Sequence, residues 1–283
     1  MKDKIRKILK EGVEVRVKRE IRVPNSINTI HGIFKDNGFK LYLVGGAIRD
    51  TLTGRYPKDF DLATDATPDK VKEMLPMYPT IESGEQFAVV NVVTNDDTFE
   101  IATFRVDQTK GRKPKVEFST MENDALRRDL TINSLYYDLD TNEIIDLVGG
   151  ISDLENGIIK TVGEASERFD EDKLRILRAL RFAARVGSDV DEGIDKAIKN
   201  DHTTISGDGK ALAQERIQDE FVKGIKQAKS SKHFVEMVKK YGLFKWVFHD
   251  MDTSGEIINS RSPITVIASL LRNETGDIDK KLT

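Results

Sequence analysis

Asp59 and Asp61 stand two apart in Asp59-Phe60-Asp61-Leu62-Ala63, a run in which polar and apolar residues alternate. Alternation of that period predicts a strand, and strand positions i and i+2 share a face. Two carboxylates so placed repel each other unless a cation sits between them. Magnesium is held by one or two carboxylates together with substrate phosphates. A pair of such ions aligns a hydroxyl nucleophile and stabilises a departing pyrophosphate. The pair therefore points to phosphate chemistry. Many exposed strands carry two such acids, so the surrounding residues must decide.

Upstream, Leu43-Val44-Gly45-Gly46-Ala47-Ile48-Arg49-Asp50 puts two glycines between an apolar strand and a predicted helix. Glycine lets backbone N–H groups come close to a phosphate, and Arg49 adds a guanidinium. An ordinary turn with Arg49 paired to Asp50 would use the same residues. Glu100, in Phe99-Glu100-Ile101-Ala102, is a third carboxylate. It could complete a metal site, serve as a base for an RNA hydroxyl, or simply face outward on an edge strand. Arg127-Arg128-Asp129 combines phosphate-matching guanidiniums with an acceptor for ribose hydroxyls. Its plain alternative is a surface ion-pair cluster.

Glu171-Asp172-Lys173-Leu174-Arg175-Ile176-Leu177-Arg178 has helical spacing. Asp172 and Arg175 are neighbours three apart, and Glu171, Arg175 and Arg178 fall on one stripe. That pattern is either an ion-pair ladder or a reader of base edges. An aspartate accepts from the amino group of cytosine or adenine, and an arginine donates to the acceptor beside it. Guanine and uracil would leave those charges mismatched.

Elements must hold these groups in place. The sequence predicts a helix from Pro24 or Ser26 to Gly38, a strand over residues 40–44 and a helix from Ala47 to Leu52. Thr67-Pro68-Asp69 starts another helix. Strands follow at Phe87–Val93 and Thr98–Phe104, and a polar loop runs from Gln108 to Lys115. Ala125 to Tyr137 reads as a helix running into a β-like segment, and Ile144–Val148 as a last strand. Beyond Gly150 the spacing is helical at Glu167–Val186, Gln214–Lys226 and Phe234–Phe248. The expected class is α+β, a mixed sheet with helices followed by an all-α half.

The run LYLVGGAIRDTLTGRYPKDFDLAT, residues 41–64, resembles the signature of class II tRNA nucleotidyltransferases (CCA-adding enzymes) and bacterial poly(A) polymerases, members of the polymerase β superfamily. The resemblance implies that Gly45, Gly46 and Arg49 serve the NTP site. It implies that Asp59 and Asp61 hold two Mg²⁺ ions and that Glu100 stands where the family has a glutamate. Arg127-Arg128-Asp129 with Thr131-Ile132-Asn133 is similar to the family's second motif, which implies contacts to NTP phosphate and sugar. Asp146 to Leu154 resembles the third motif, a hinge between head and neck, although Asp153 also suits a helix N-cap. Glu171 to Arg178 resembles the fourth motif. There Asp172 and Arg175 read the base, Glu171 orients them, and Arg178 meets base or phosphate. Gln214-Glu215-Arg216-Ile217 with Asp219-Glu220 resembles the fifth, implying support for the turn beside the nucleotide. Lys110–Lys115 lies where the family has a loop that helps the change from C to A addition.

The resemblance spans residues 25–250 and implies four regions. These are a basic N-terminal extension (1–24), a nucleotidyltransferase head (25–150), a helical neck that recognises the base (151–210) and a short helical body (211–283). The implied reaction is template-independent, metal-dependent transfer of CMP and AMP from CTP and ATP to the 3′-hydroxyl of tRNA, with release of pyrophosphate. Poly(A) addition, CC-only or A-only addition, and a non-catalytic RNA- or nucleotide-binding derivative are the alternatives. The expected partners are NTP and a tRNA or other RNA 3′ end, and the expected setting is the cytoplasm.

Bulk composition agrees with this and excludes other classes. The 283 residues carry 38% apolar and 33% charged side chains and a net charge of −3, a globular composition without an apolar run long enough to span a membrane or form a signal core. The absence of cysteine removes disulfides and thiolate zinc sites. The four histidines, His31, His202, His233 and His249, lack metal-ligand spacing, which also speaks against a metal-dependent phosphohydrolase. Basic residues gather in the first twenty positions, where they are expected to help grip RNA despite the acidic total. Leu243, Phe244, Trp246, Val247 and Phe248 are expected to pack as core.

Overall fold

Strict alternation along Leu41–Val44 sends Leu41 and Leu43 into one hydrophobic cluster and Tyr42 and Val44 into another on the opposite face. The same two-sided burial recurs along the strands beside it. The fold is a computed structural model that describes residues 14–81, 88–95, 97–107, 116–200 and 213–275. Residues 1–13 of the basic extension, the Lys110–Lys115 loop and His202 lie outside the described residues. The chain divides between Leu154 and Glu155 into two compact units.

In the first unit the strands are β1 (Val15–Lys18), β2 (Leu41–Val44), β3 (Asp61–Thr64), β4 (Thr80–Ile81), β5 (Val89–Val93), β6 (Thr98–Thr103), β7 (Arg105–Asp107), β8 (Val116–Phe118), β9 (Leu135–Asp138) and β10 (Glu143–Asp146). The helices are α1 (Asn25–Asp36), α2 (Gly46–Leu52), α3 (Pro68–Met74), α4 (Met121–Arg127) and α5 (Gly150–Glu155). Eight strands form one sheet in the order β1-β10-β9-β2-β3-β6-β5-β4, and β7 pairs with β8 separately. Within the large sheet β3 and β6 run parallel while the other pairs are antiparallel. A parallel pair needs a crossover, which α3, β4 and β5 supply. The larger cluster joins Ile27, Ile30 and Phe34 of α1 to Leu43, Leu62, Ile101, Leu135 and Ile144. Fully burying each such side chain contributes about 1.5–3 kcal/mol. The opposite face carries Ala63, Phe104, Tyr136 and Ile145 with Ala125 of α4.

Several boundaries differ from expectation for local reasons. The D-x-D segment becomes strand only at Asp61, with Asp59 just before it. The segment 125–137 is not one helix running into strand. It is α4, a 3₁₀ turn at Thr131–Asn133, and β9. Val15–Lys18, placed by the sequence in an extension, pairs with β10 as the sheet's edge. Asp153 is not the helix cap. Its Oδ2 accepts from the Thr131 hydroxyl at 2.6 Å within α5. The cap is Asp146, which is 1% exposed and accepts four backbone N–H bonds, from Val148, Gly149, Gly150 and Ile151, at 2.8–3.0 Å. Gly150 allows this close turn, since a Cβ there would lie 2.2 Å from the Thr131 carbonyl oxygen.

The second unit is helical among the described residues: α6 (Ala165–Glu171), α7 (Leu174–Val186), α8 (Glu192–Asn200), α9 (Gln214–Gln227), α10 (Ser231–Lys240), α11 (Phe244–Phe248) and α12 (Pro263–Leu270). The expected helix at 167–186 is broken at Asp172, whose backbone is extended (φ −153°). The one expected at 234–248 is interrupted at Gly242, which adopts a left-handed φ of +68°. Phe221, Phe234 and Phe248 form an aromatic centre with ring centroids 5.3–5.6 Å apart along its two contacts. Trp246 is 3% exposed, so it packs and does not present a stacking surface. No helix among the described residues is long and apolar enough to cross a membrane.

Replacing Asp146 with alanine strands four N–H groups at a buried turn. Unfolding by urea should report a loss of about 3 kcal/mol or more. A loss below about 1 kcal/mol would mean that water can replace the carboxylate.

Candidate active site

The parallel register sets Leu62 of β3 beside Ile101 of β6, and one step back along both strands stand Asp61 and Glu100. Across β2, Val44 opposes Asp61 and in turn pairs with Tyr136 of β9. Asp61 therefore lies on the sheet face that holds Tyr136, at the end where β2 turns into α2. Gly45 makes that turn with φ +66°. Its N–H donates to the Leu135 carbonyl at 3.1 Å, so its contribution is the left-handed turn and not a donor for phosphate. Arg49 in α2 is 5% exposed. Its guanidinium donates to the Asn133 amide oxygen and lies 3.7 Å from the Asp50 carboxylate. The Asn133 amide nitrogen donates onward to Asp129 at 3.1 Å.

Arg128 is anchored more firmly. Its Nε and Nη2 donate to Asp124 at 3.2 and 3.0 Å, its Nε also to the Tyr136 hydroxyl at 3.1 Å, and its Nη1 to the Asn133 carbonyl at 3.2 Å. Tyr136 donates its hydroxyl to Asp124 at 2.7 Å. Arg127 pairs with the other Asp124 oxygen at 2.6 Å. Burial pushes the Asp124 carboxyl up, but Arg128, Arg127 and the Tyr136 hydroxyl outweigh it and hold the carboxyl below its ordinary value. Asp124 and Tyr136 were not singled out from the sequence. The available signal was Asp124 three and four residues before the two arginines, the spacing of helical ion pairs.

Two of the acids, Asp61 and Glu100, are shifted by their surroundings. Asp61 has a solvent-facing edge, yet crowding on its other sides desolvates it and raises its pKa. Arg128 and Arg49 oppose that rise, and Asp59 adds to it. Glu100 is raised by desolvation and by Asp61, against Arg105. Among the described residues no side-chain hydrogen bond or ion pair engages the carboxylates of Asp59, Asp61 or Glu100. No three acidic or histidine side chains among the described residues converge closely enough to hold an ion unaided. Two carboxylates with free oxygens still fit magnesium, which takes its remaining ligands from phosphate and water.

In the second unit the side chains of Asp172 and Arg175 do not pair with each other, although the Arg175 N–H donates to the Asp172 carbonyl at 3.0 Å. Asp172 accepts the Leu174 N–H at 3.0 Å on one oxygen and Arg216 Nη2 at 3.0 Å on the other. Arg175 pairs with Glu171 at 2.5 Å and donates to the Arg168 carbonyl at 3.3 Å. The helix breaks at Asp172, yet Glu171 and Arg175 still meet as the expected i,i+4 pair, while Arg178 finds another partner. Arg178 turns to Glu220 of α9 at 3.5 Å. Glu220 also binds Arg181 at 2.7 Å, and both are 6% exposed. Arg181 was not singled out from the sequence.

This geometry coincides with a match to the family model of the poly(A) polymerase head domain over residues 41–160. A CCA-adding enzyme of Lactobacillus helveticus is 39% identical over 193 residues, 67% of this chain and 47% of that protein. Poly(A) polymerase I of Salmonella typhimurium is 30% identical over 272 residues, covering 91% of this chain and 57% of that protein. Among solved structures, the Bacillus stearothermophilus CCA-adding enzyme in complex with CTP aligns with a TM-score of 0.71 and 32% identity. That alignment covers 79% of this chain and 53% of the other.

The chain carries the head domain shared by CCA-adding enzymes and poly(A) polymerases.

It spans about half the length of the curated relatives it matches. Within the family's head, the acids of β3 and β6, Arg49 of α2 and Arg128 just after α4 meet at one sheet end.

A raised carboxyl pKa has a testable sign. The folded state favours protonated Asp61, so a stability cost grows as pH rises from the unfolded value of 3.8 through the raised folded one, and it is complete at neutral pH. Asp61→Asn should therefore melt higher than wild type at pH 7.5 without divalent ions, with the gap, reduced by solvent screening at this exposed position, closing on acidification. A lower melting temperature for the variant at every pH would show that the Asp61 charge stabilises the fold.

Proposed function

We propose that this chain is a template-independent nucleotidyltransferase that transfers CMP and AMP from CTP and ATP to the 3′-hydroxyl of tRNA. The observation that carries the reading is the meeting of Asp61, Glu100, Arg128 and Arg49 at one sheet end, in a chain with this head domain. In the reaction, the RNA 3′-oxygen attacks the α-phosphorus of the NTP, the bond to the β-phosphate oxygen breaks, and pyrophosphate leaves. Asp59 and Asp61 would hold magnesium, which supplies charge neutralisation at the phosphates. Glu100, whose carboxyl is pushed up by burial and by Asp61, would be the carboxylate that takes the hydroxyl proton. Arg49 and Arg128 place positive charge beside the acids, where triphosphate oxygens collect. Asp129 offers a carboxylate to the ribose.

The second unit supplies base choice. Asp172 is pinned by Arg216 and Arg175 by Glu171, so each keeps a fixed direction for hydrogen bonding. A fixed acceptor and donor match the edge of cytosine or adenine. Guanine and uracil would leave them unpaired at a cost of roughly 1–3 kcal/mol per group. The relative solved with CTP supports this assignment of substrate. Poly(A) addition is the second reading, favoured by the similarity to a poly(A) polymerase along 91% of the chain.

Primer extension with Mg²⁺ on tRNA lacking its terminal CCA separates the two. CTP and ATP together should extend the RNA by C, C and A and then stop, and Asp59→Ala should slow this by about 100-fold or more. Long A tracts from ATP alone would favour poly(A) addition, and no extension with any NTP would remove both readings. Arg216→Ala should release Asp172 and reduce discrimination against UTP and GTP by about tenfold, seen as kcat/KM ratios. Unchanged ratios with lower overall activity would reduce Arg216 to a fold-stabilising role.

A further inference from the structure

Between α2 and the acids runs a five-residue link, Gly54-Arg55-Tyr56-Pro57-Lys58, that the mechanism does not use. Its backbone is fixed at both ends. Gly54 takes φ +72°, the Arg55 N–H donates to the Asp50 carbonyl at 2.8 Å, and Pro57 is buried. Between those fixed points Tyr56 is 77% exposed, the most exposed aromatic among the described residues. The burial of Phe60 and Pro57 on either side shows that the link has an inner face, and Tyr56 is not on it. Arg55 and Lys58, both exposed, flank the ring. Lys58 is followed directly by Asp59.

An exposed aromatic between two cations is the pattern that binds single-stranded RNA. The ring stacks on a base whatever its identity, and the cations meet the backbone phosphates. The link also leads straight into the acids at which a 3′-hydroxyl must arrive. We propose that Tyr56, with Arg55 and Lys58, forms the platform on which the 3′-terminal base of the RNA acceptor stacks, setting its hydroxyl toward the Asp59–Asp61 end of the sheet. This rests on the reaction proposed above for the choice of an RNA acceptor. The tolerance of stacking for any base suits an end whose last base changes at every addition.

The test uses the full chain and a single-stranded RNA whose 3′-terminal base is 2-aminopurine, whose fluorescence is quenched by stacking. It is titrated without NTP or metal against wild type, Tyr56→Ala and Tyr56→Phe. Quenching by wild type and Tyr56→Phe, lost in Tyr56→Ala along with about tenfold of affinity, is the expected result. In steady state the KM for RNA should rise in Tyr56→Ala while the KM for CTP stays within twofold. Equal quenching and affinity in all three proteins would overturn the platform. So would a raised KM for CTP with RNA binding unchanged, which would assign the ring to the nucleotide, and so would absence of RNA binding by wild type. Failure of wild type to extend any RNA is a separate outcome that strikes the proposed reaction, since stacking is read without turnover.

Discussion

Asp61 and Glu100 sit side by side because β3 and β6 are parallel, and this pairing of like charges governs the first unit. Parallel strands need a crossover, and α3, β4 and β5 provide it. The repulsion between the two acids is met by positive charge, which Arg128 just after α4 and Arg49 of α2 bring. Arg128 in turn needs a rigid seat, which the buried Asp124 carboxylate and the Tyr136 hydroxyl supply. Packed polar contacts thus run from Tyr136 and Asp124 to Arg128, whose charge reaches Asp61 through space.

The second unit follows a related design with different parts. Glu220 sits between Arg178 and Arg181, and Gln227 accepts from Arg181 and Arg185. An arginine-rich helix can then pack against α9 without stranding charge in the interior. The break at Asp172 frees that residue from the helix and turns its carboxylate to Arg216. Both units use buried or half-buried ion pairs to hold polar groups in fixed directions. Such pairs contribute more to orientation than to stability, since desolvation offsets much of their attraction.

Local patterns are where the sequence is most informative. The alternation at 41–44 and 61–64, the Thr67-Pro68 helix start, and the apolar spacing of Gln214–Gln227 all depend on neighbours within a few residues. The same holds for the glycine turn at Gly45, where a positive φ selects the residue. Sequence reasoning erred where a distant partner overrode local preference. Helical spacing continues through Asp172, but an extended backbone there wins because its side chain caps the next helix and pairs with Arg216. Asp153 has the chemistry of a cap, yet Asp146 takes the role because strand β10 ends with its carboxylate under the turn.

From sequence alone came the two-part organisation, the mixed sheet followed by helices, and the family motifs that name most of the charged residues discussed. Periodicity and motif spacing are local properties, so they survive without coordinates. Which charge meets which was decided only in three dimensions. Asp124 and Tyr136 as the seat of Arg128, Arg216 as the partner of Asp172, and the nearness of Glu100 to Asp61 all join segments that fold brings together. A charged side chain reaches several ångströms in any direction, and only the packing of the elements selects one.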